Sequence, residues 1–140
     1  MTSTHSARRN NARLLCIETL ENRELLSVTA AEFAQIRADN ADLNLSANMA
    51  NYNVIEITAA NLSDTAIHNA IAKAGTTTES DLIVLRTTAT RNKITLGGSE
   101  LEIDIDASKW GSVTLVGFGT NPLTLDANQG SRIYNITDGA

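Results

Sequence analysis

The sequence predicts a mainly β fold in which short N-terminal helices precede the first coils of a parallel β-helix. Six short β-rich segments recur after Asp81, and their first residues advance by 11, 8, 12, 10 and 10 positions. The intervening stretches are rich in the Thr, Asn, Gly, Ser and Asp of tight turns, without an Asn-Gly or Asp-Gly hairpin pair between strands. Most segments offer only two or three inward apolar positions, which is short for a sandwich face. A sandwich or a barrel remains the alternative.

The six predicted strands cover residues 82–85, 93–96, 101–105, 113–116, 123–125 and 133–136. Because three strands make one coil, six strands give about two coils. Repeat folds generally need ~3 or more units and a polar cap to be stable alone. We therefore expect an exposed strand edge after the last segment, and self-association of the isolated chain through it.

A capping signal predicts the first well-defined helix, over residues 30–38. Thr29 and Glu32 have the spacing of a capping box, in which each side chain bonds the other residue's amide. Val28 and Phe33 stand where a hydrophobic staple would close over that cap. An asparagine-rich connector then leads to a predicted strand.

That strand covers residues 54–57, and a second helix is predicted over residues 64–74, capped by Ser63 or Asp64. Gly75 is expected to end it in a left-handed conformation. Only one stripe of this helix is apolar, so the helix should cover the open end of the coils. The stripe consists of Ile67, Ala70, Ile71 and Ala74.

Charge excludes one class of partner. The 140-residue chain has a formal net charge of -5 and a pI of about 4.9. Nucleic-acid binding needs clustered Lys and Arg, which are scattered here, so we expect no nucleic-acid partner. Only the start is basic, with Arg8, Arg9 and Arg13 preceding the first acid, Glu18.

The sequence predicts no transmembrane segment and no ordinary signal peptide. No apolar run approaches the ~20 residues of a membrane span. The stretch at residues 14–17 is also far short of the ~7–15 apolar residues of a secretory signal.

Cys16 is the only cysteine, which excludes an intramolecular disulfide and a zinc cluster. We interpret Cys16 as a small buried hydrophobe, with lipidation or redox chemistry as the alternative.

One acidic row is the main candidate for chemistry. It consists of Glu100, Glu102, Asp104 and Asp106, with Asp126 one coil later. Alternate spacing places the first four on one face of a strand, where they would suit Ca²⁺ binding or acid–base work. A solvated strand face is the favoured interpretation, because the glycine-rich calcium repeat is missing.

The other candidates are isolated residues. His5 and His68 lack a partner at metal-ligand or triad spacing. Trp110 and Tyr134 stand alone, whereas sugar stacking would need several aromatic side chains on one face. The sequence therefore predicts no catalytic, cofactor-binding or metal-binding residue, and no cofactor.

A short stretch near the start resembles a known export motif. Residues 18–27 read Glu-Thr-Leu-Glu-Asn-Arg-Glu-Leu-Leu-Ser. This is similar to the LEPR-XLL motif near the start of large exported proteins of planctomycete-type bacteria, except that Asn22 replaces the proline. The resemblance implies export and placement at the cell surface. The matching targeting residues are Leu20, Glu21, Arg23, Leu25, Leu26 and Ser27.

A longer stretch, residues 65–136, resembles the opening coils of right-handed parallel β-helix proteins of the pectin-lyase-like superfamily. The resemblance rests on a helix followed by Ile94-Thr95-Leu96-Gly97-Gly98 and by turn-rich strands ending at residues 123–136. Many β-solenoids share this pattern. It implies a right-handed parallel β-helix whose N-terminal end is plugged by the helix.

Together these features predict three regions. Residues 1–28 are a disordered leader with the export segment, and residues 29–62 hold a helix, connector and strand. Residues 63–140 hold the capping helix and about two incomplete β-helix coils.

The predicted function is a non-catalytic N-terminal module of an exported cell-surface protein, of structural or adhesion type. Its partners would be the export machinery, with contacts to the cell envelope or to polysaccharides. The alternatives are the N-terminal part of a pectin-lyase-like carbohydrate-active enzyme and a small cytosolic binding domain.

Overall fold

The computed structural model describes residues 28–137. Its helices and strands, in chain order, are α1 (Ala30–Asp39), β1 (Tyr52–Ile57), α2 (Asp64–Ala74), β2 (Ser80–Thr87), β3 (Lys93–Thr95), β4 (Leu101–Asp104), α3 (Ala107–Trp110), β5 (Val113–Gly119), β6 (Thr124–Asp126) and β7 (Tyr134–Thr137). Short 3-10 turns lie at Ala41–Leu43, Met49–Asn51 and Ala59–Asn61. The strands occur close to the positions that the sequence predicts.

The capping box of α1 is confirmed. The Thr29 hydroxyl accepts the Glu32 amide at 3.2 Å, and the Thr29 amide donates to the Glu32 carboxylate at 2.9 Å. Val28 and Phe33 are both buried in one apolar cluster, as a hydrophobic staple requires. The helix ends at Asp39, one residue beyond its predicted end.

Helix α2 has its predicted limits and its predicted buried stripe, and the Ser63 hydroxyl caps it by accepting the Ala66 amide at 3.1 Å. The expected left-handed stop at Gly75 is wrong, because Gly75 has a φ of -75°. Instead, the Thr76 amide and hydroxyl both donate to the Lys73 carbonyl, at 3.1 and 2.7 Å. That carbonyl is therefore satisfied without a left-handed residue.

All strand pairs are parallel, in three separate sheets. One sheet has the order β1-β2-β5, and two-stranded sheets join β3 to β6 and β4 to β7. Each strand of the first layer, which we define as β2, β3 and β4, thus pairs with one strand of the second layer, which is β5, β6 and β7. This register places Ile94 beside Leu125 and Ile103 beside Ile136.

Two apolar cores lie on opposite faces of the three-stranded sheet. The larger core packs the α2 stripe against alternate residues of β1 and β2 and against the apolar residues of β3 and β4. The smaller core packs Phe33 and Ile36 of α1 against Leu82, Val84 and Val116. Strand β2 is consequently buried on both faces, since Ile83 and Leu85 belong to the larger core.

The predicted fold class, mainly β with the first coils of a right-handed parallel β-helix, is therefore wrong. The described residues combine helices with short strands in small parallel sheets of two or three strands, and no coiled β-helix is seen among them. The physical reason is the burial of β2. A β-helix strand buries one face in a single interior, whereas α1 covers the second face of β2 and creates a second core.

Candidate functional site

The acidic row predicted from the sequence borders a surface cavity between α2 and β4. Leu101, Ile103 and Ile105 are buried, so the intervening side chains point outward as their alternation predicts. The cavity has a volume of about 460 Å³. It is lined by His68, Ile71, Ala72, Gly75, Glu102, Asp104 and Ile105. Two exposed carboxylates of the row thus face one histidine.

The row as a whole does not converge on one point. Arg132 donates to Glu100 through Nε at 2.7 Å and holds the pKa of that carboxyl below its usual range. Asp104 accepts the Thr137 hydroxyl at 3.0 Å. Each of these contacts links β4 or the loop before it to the second layer. These two members of the row thus make cross-layer pairs.

Two further acids of the row are used locally. Asp106 caps α3 by accepting the Ser108 amide and hydroxyl, which lowers its pKa. Asp126 lies 2.7 Å from Lys93 across the β3–β6 pair, and this lysine lowers the pKa of Asp126. Within residues 28–137, no three His, Cys, Asp or Glu side chains are grouped so that they could hold a metal ion.

His68 ties α2 to the loop before β4. Its Nδ1 lies 2.9 Å from the Asp64 carbonyl and 3.0 Å from Asp64 Oδ1, and its Nε2 lies 3.1 Å from the Glu100 carbonyl. Both ring nitrogens therefore face oxygen acceptors, which only the doubly protonated imidazolium satisfies. The pKa of His68 is accordingly raised, above all by the Asp64 carbonyl. A histidine held at both ring nitrogens is a tether between α2 and the loop before β4, and it has no free nitrogen to act as a general base.

Asp64 completes this tether. Its Oδ2 accepts the Gly97 amide at 3.1 Å, so the carboxylate joins the start of α2 to the turn after β3. Its Oδ1 is buried and accepts no hydrogen bond, although it lies near the His68 ring. The single Nδ1 proton can point to the Asp64 carbonyl instead, which leaves Oδ1 in an ion-pair contact alone. Sequence reasoning treated His68 as an isolated residue and missed this network.

A second network that sequence reasoning missed surrounds Arg86 of β2. Its guanidinium makes a bidentate contact with Glu32, at 3.0 and 2.8 Å, and donates through Nε to Glu56 at 2.9 Å. It also lies 5.7 Å from the centre of the Phe118 ring. Hydrogen bonds from Arg86 and, to a lesser extent, from the Thr29 amide lower the pKa of Glu32 to about 2. One cation thus joins α1, β1, β2 and β5.

A buried carboxyl lies at the start of β2. Asp81 is fully buried, and its Oδ1 accepts the Asn53 side-chain amide at 2.7 Å and the Thr77 hydroxyl at 3.4 Å. Its Oδ2 has no hydrogen-bond partner. Burial raises the pKa of Asp81 above its usual range. This side chain fixes the β1–β2 register from inside and offers no surface to a ligand.

The second layer forms a different kind of surface, which we call the open face. It comprises the outer edges of β5, β6 and β7 and the apolar side chains beside them. Each sheet ends at a second-layer strand, and in the described part of the chain nothing pairs with those outer edges.

Burial drops sharply from one layer to the next. Ile103 is 8% exposed and its register partner Ile136 is 61% exposed. Leu101 is 0% exposed, whereas its partner Tyr134 is 41% exposed. An apolar crevice of about 140 Å³ brings Ile103, Ile105 and Val113 together with Ile136. The open face is therefore the uncovered side of the larger core.

The targeting residues Leu20, Glu21, Arg23, Leu25, Leu26 and Ser27 lie outside the described residues, as do His5 and Cys16. Trp110 is partly exposed on α3, and Tyr134 lies on β7, so the two isolated aromatic residues are on different elements.

No helix within residues 28–137 has the length and apolarity needed to cross a membrane. No family model, curated protein or solved structure matches the chain.

Proposed function

We propose that this chain is a non-catalytic structural module at the N-terminal side of an exported cell-surface protein. The open face is the observation that carries the structural part. A protein surface seldom leaves three strand edges and the apolar side chains beside them uncovered, because both favour association. Such a face suits a building block that is completed by further β structure.

The export part of the proposal is supported by the LEPR-XLL-like stretch. Arg8, Arg9 and Arg13 precede it, and the helix that starts at Ala30 has a capping box of its own. The first described helix therefore begins at its own cap, and the motif is not part of that helix. We infer that the motif is used by export machinery and that the module is displayed at the cell surface.

A reporter fusion tests the export part. Residues 1–28 fused to a fluorescent or enzymatic reporter should carry it to the cell envelope of a planctomycete host. Leu25→Asp combined with Leu26→Asp should retain the reporter in the cytosol. The matched control, Asn10→Asp with Asn11→Asp, adds the same charge outside the motif and should leave export intact. A wild-type fusion that stays in the cytosol would refute export.

An activity assay tests the non-catalytic part. The cavity beside β4 presents Glu102 and Asp104, the two carboxylates that a carbohydrate-active enzyme would most readily use. We expect the purified chain to release no reducing or unsaturated ends from acidic polysaccharides. Product release that Glu102→Gln with Asp104→Asn abolishes would overturn the structural assignment.

A further inference from the structure

We propose that the open face docks a second copy of this chain, so that strands β5, β6 and β7 of the two copies face one another. This inference deepens the proposed structural role and rests on it, because it names the partner that completes the module. The contact would cover the exposed side of the larger core. In each sheet it would use the edge of the second-layer strand that faces away from the first-layer strand.

Strands β5 and β7 lack the features that keep strand edges apart. Val113–Gly119 and Tyr134–Thr137 contain neither a charged residue nor a proline. Natural sheets usually protect an exposed edge with lysine, proline or an inward charge. Unpaired amides and carbonyls on these strands gain hydrogen bonds when another strand is added. The edges are therefore open to pairing.

The arrangement of the edges selects the partner. Three edges belong to three separate sheets, so one extended peptide could pair with only one of them at a time. A partner that pairs with all three must itself present three strands in the same arrangement. The open face of another copy is such a surface, and a twofold axis in the plane of the contact would reverse the strand direction of the second copy, so that the paired edges run antiparallel.

The charges near the open face also permit self-docking, although the chain carries a net charge of -5. Asp126, the charged residue of β6, is already paired with Lys93 at 2.7 Å. Arg132, in the turn before β7, is paired with Glu100. Two copies can thus approach through the open face without bringing unpaired like charges together. The apolar side chains of Leu125 and Ile136 would then lose their exposure.

The test is a concentration series on the full-length chain by sedimentation velocity, with hydrogen exchange measured on the same samples. We expect a monomer that becomes a dimer as concentration rises, with protection of the β5, β6 and β7 amides appearing in step. Ile136→Lys should raise the dimer dissociation constant on the order of tenfold or more, because it places like charges in the contact. Leu43→Lys is the matched control, since Leu43 is 44% exposed and lies in a 3-10 turn outside the open face.

Two outcomes would overturn the inference. One is a chain that stays monomeric at all concentrations. The other is a dimer that forms elsewhere. Its formation would leave the β5, β6 and β7 amides unprotected, or Leu43→Lys would weaken it as much as Ile136→Lys does. The wild-type exchange data decide the matter even if Ile136→Lys fails to fold. Neither outcome touches the export and activity assays, so self-docking can fail while the proposed structural role stands.

Discussion

Arg86 is the residue on which the most elements depend. Its partners Glu32 and Glu56 lie 54 and 30 positions earlier in the chain, on α1 and β1. It follows the apolar residues Leu82 to Leu85 in the strand, and its charge requires partners to be held partly buried. The sequence shows this charge in an apolar run, but local patterns cannot say which of sixteen acidic residues will pair with it.

We expect Arg86→Met to destabilise the fold by about 2 kcal/mol, because two carboxylates lose their shared cation. Breaking a fully buried pair costs roughly 3–5 kcal/mol, and the quarter-exposed Arg86 side chain reduces that cost. Urea unfolding at pH 7 measures the change. Arg91→Met is the control, since Arg91 donates to the Ala60 carbonyl at 3.4 Å and should change the free energy of unfolding little.

The Arg86–Glu32 pair also predicts an acid sensitivity. Arg86 is the largest of the causes that lower the pKa of Glu32 from 4.5 to about 2, ahead of the Thr29 amide, so the pair stabilises the folded state above pH 4.5. That stabilisation is lost as pH falls from 4.5 toward 2, because Glu32 becomes protonated more readily in the unfolded chain. Thermal melts across this range should show a smaller fall for Arg86→Met than for the wild type. An equal fall in both proteins would contradict the role of this pair.

At the scale of elements, His68 makes the docking of α2 depend on pH. The groups facing its ring are Asp64 on the same helix and the Glu100 carbonyl, with Glu102 and Asp104 across the cavity. Because the folded-state pKa of His68 is raised, its contribution is complete below the unfolded value of 6.5. It is lost as pH rises through the folded-state pKa.

We therefore expect the melting temperature of the wild type to exceed that of His68→Gln by more at pH 5.5 than at pH 8.5. An NMR titration of the His68 ring should show a pKa above 6.5 in the folded protein. A difference in melting temperature that does not change with pH would mean that His68 acts only as a packed ring.

The buried stripe of α2 carries a separate prediction. Ile71 packs in the larger core and is 5% exposed. Ile71→Ala should lower the free energy of unfolding by about 3 kcal/mol, since truncation removes buried methyl groups and leaves a cavity. Denaturant unfolding measures this change. Asn69→Ala alters an exposed position of the same helix and should have a far smaller effect.

Elements with strong local signals could be predicted from the sequence. The capping box at Thr29 and the cap at Ser63 define helix starts through neighbouring atoms alone, and both are confirmed. The fold class could not be predicted in the same way. The apolar run from Leu82 to Leu85 fits a strand buried on both faces as well as a short coil strand. Only the packing of α1 against that sheet distinguishes these two kinds of strand, and this contact joins residues that are far apart in the sequence.

The candidate site was predicted only in part. Alternation along β4 correctly placed the acidic row outward. The partners of the row, Arg132 and Thr137, come from the second layer and depend on the parallel β4–β7 register. The sequence predicted an exposed edge at the last strand. The open face extends over all three sheets because of the strand pairing, and the spacing of the strands alone does not determine that pairing.

For the whole molecule, the two layers should differ in local stability. Strand β2 is buried and paired on both sides, and the apolar residues of β3 and β4 are buried, whereas second-layer strands have one free edge and mostly partly exposed apolar side chains. At concentrations low enough for the monomer, amides of β5, β6 and β7 should exchange hydrogen faster than those of β2. Exchange measured by mass spectrometry or NMR tests this. Uniform protection across both layers would show that the fold opens only as one unit.

The parallel registers have a consequence for how the chain folds. Paired strand residues are never far apart in sequence, from 28 positions for Tyr52 with Ser80 to 33 for Leu101 with Tyr134. Loop closure over so few residues costs little more entropy than closure over half as many. A chain that emerges from a ribosome or a translocation pore with its amino terminus first can pair each strand once about 30 further residues have followed. Folding can therefore proceed vectorially, layer by layer, without waiting for a distant carboxyl-terminal strand.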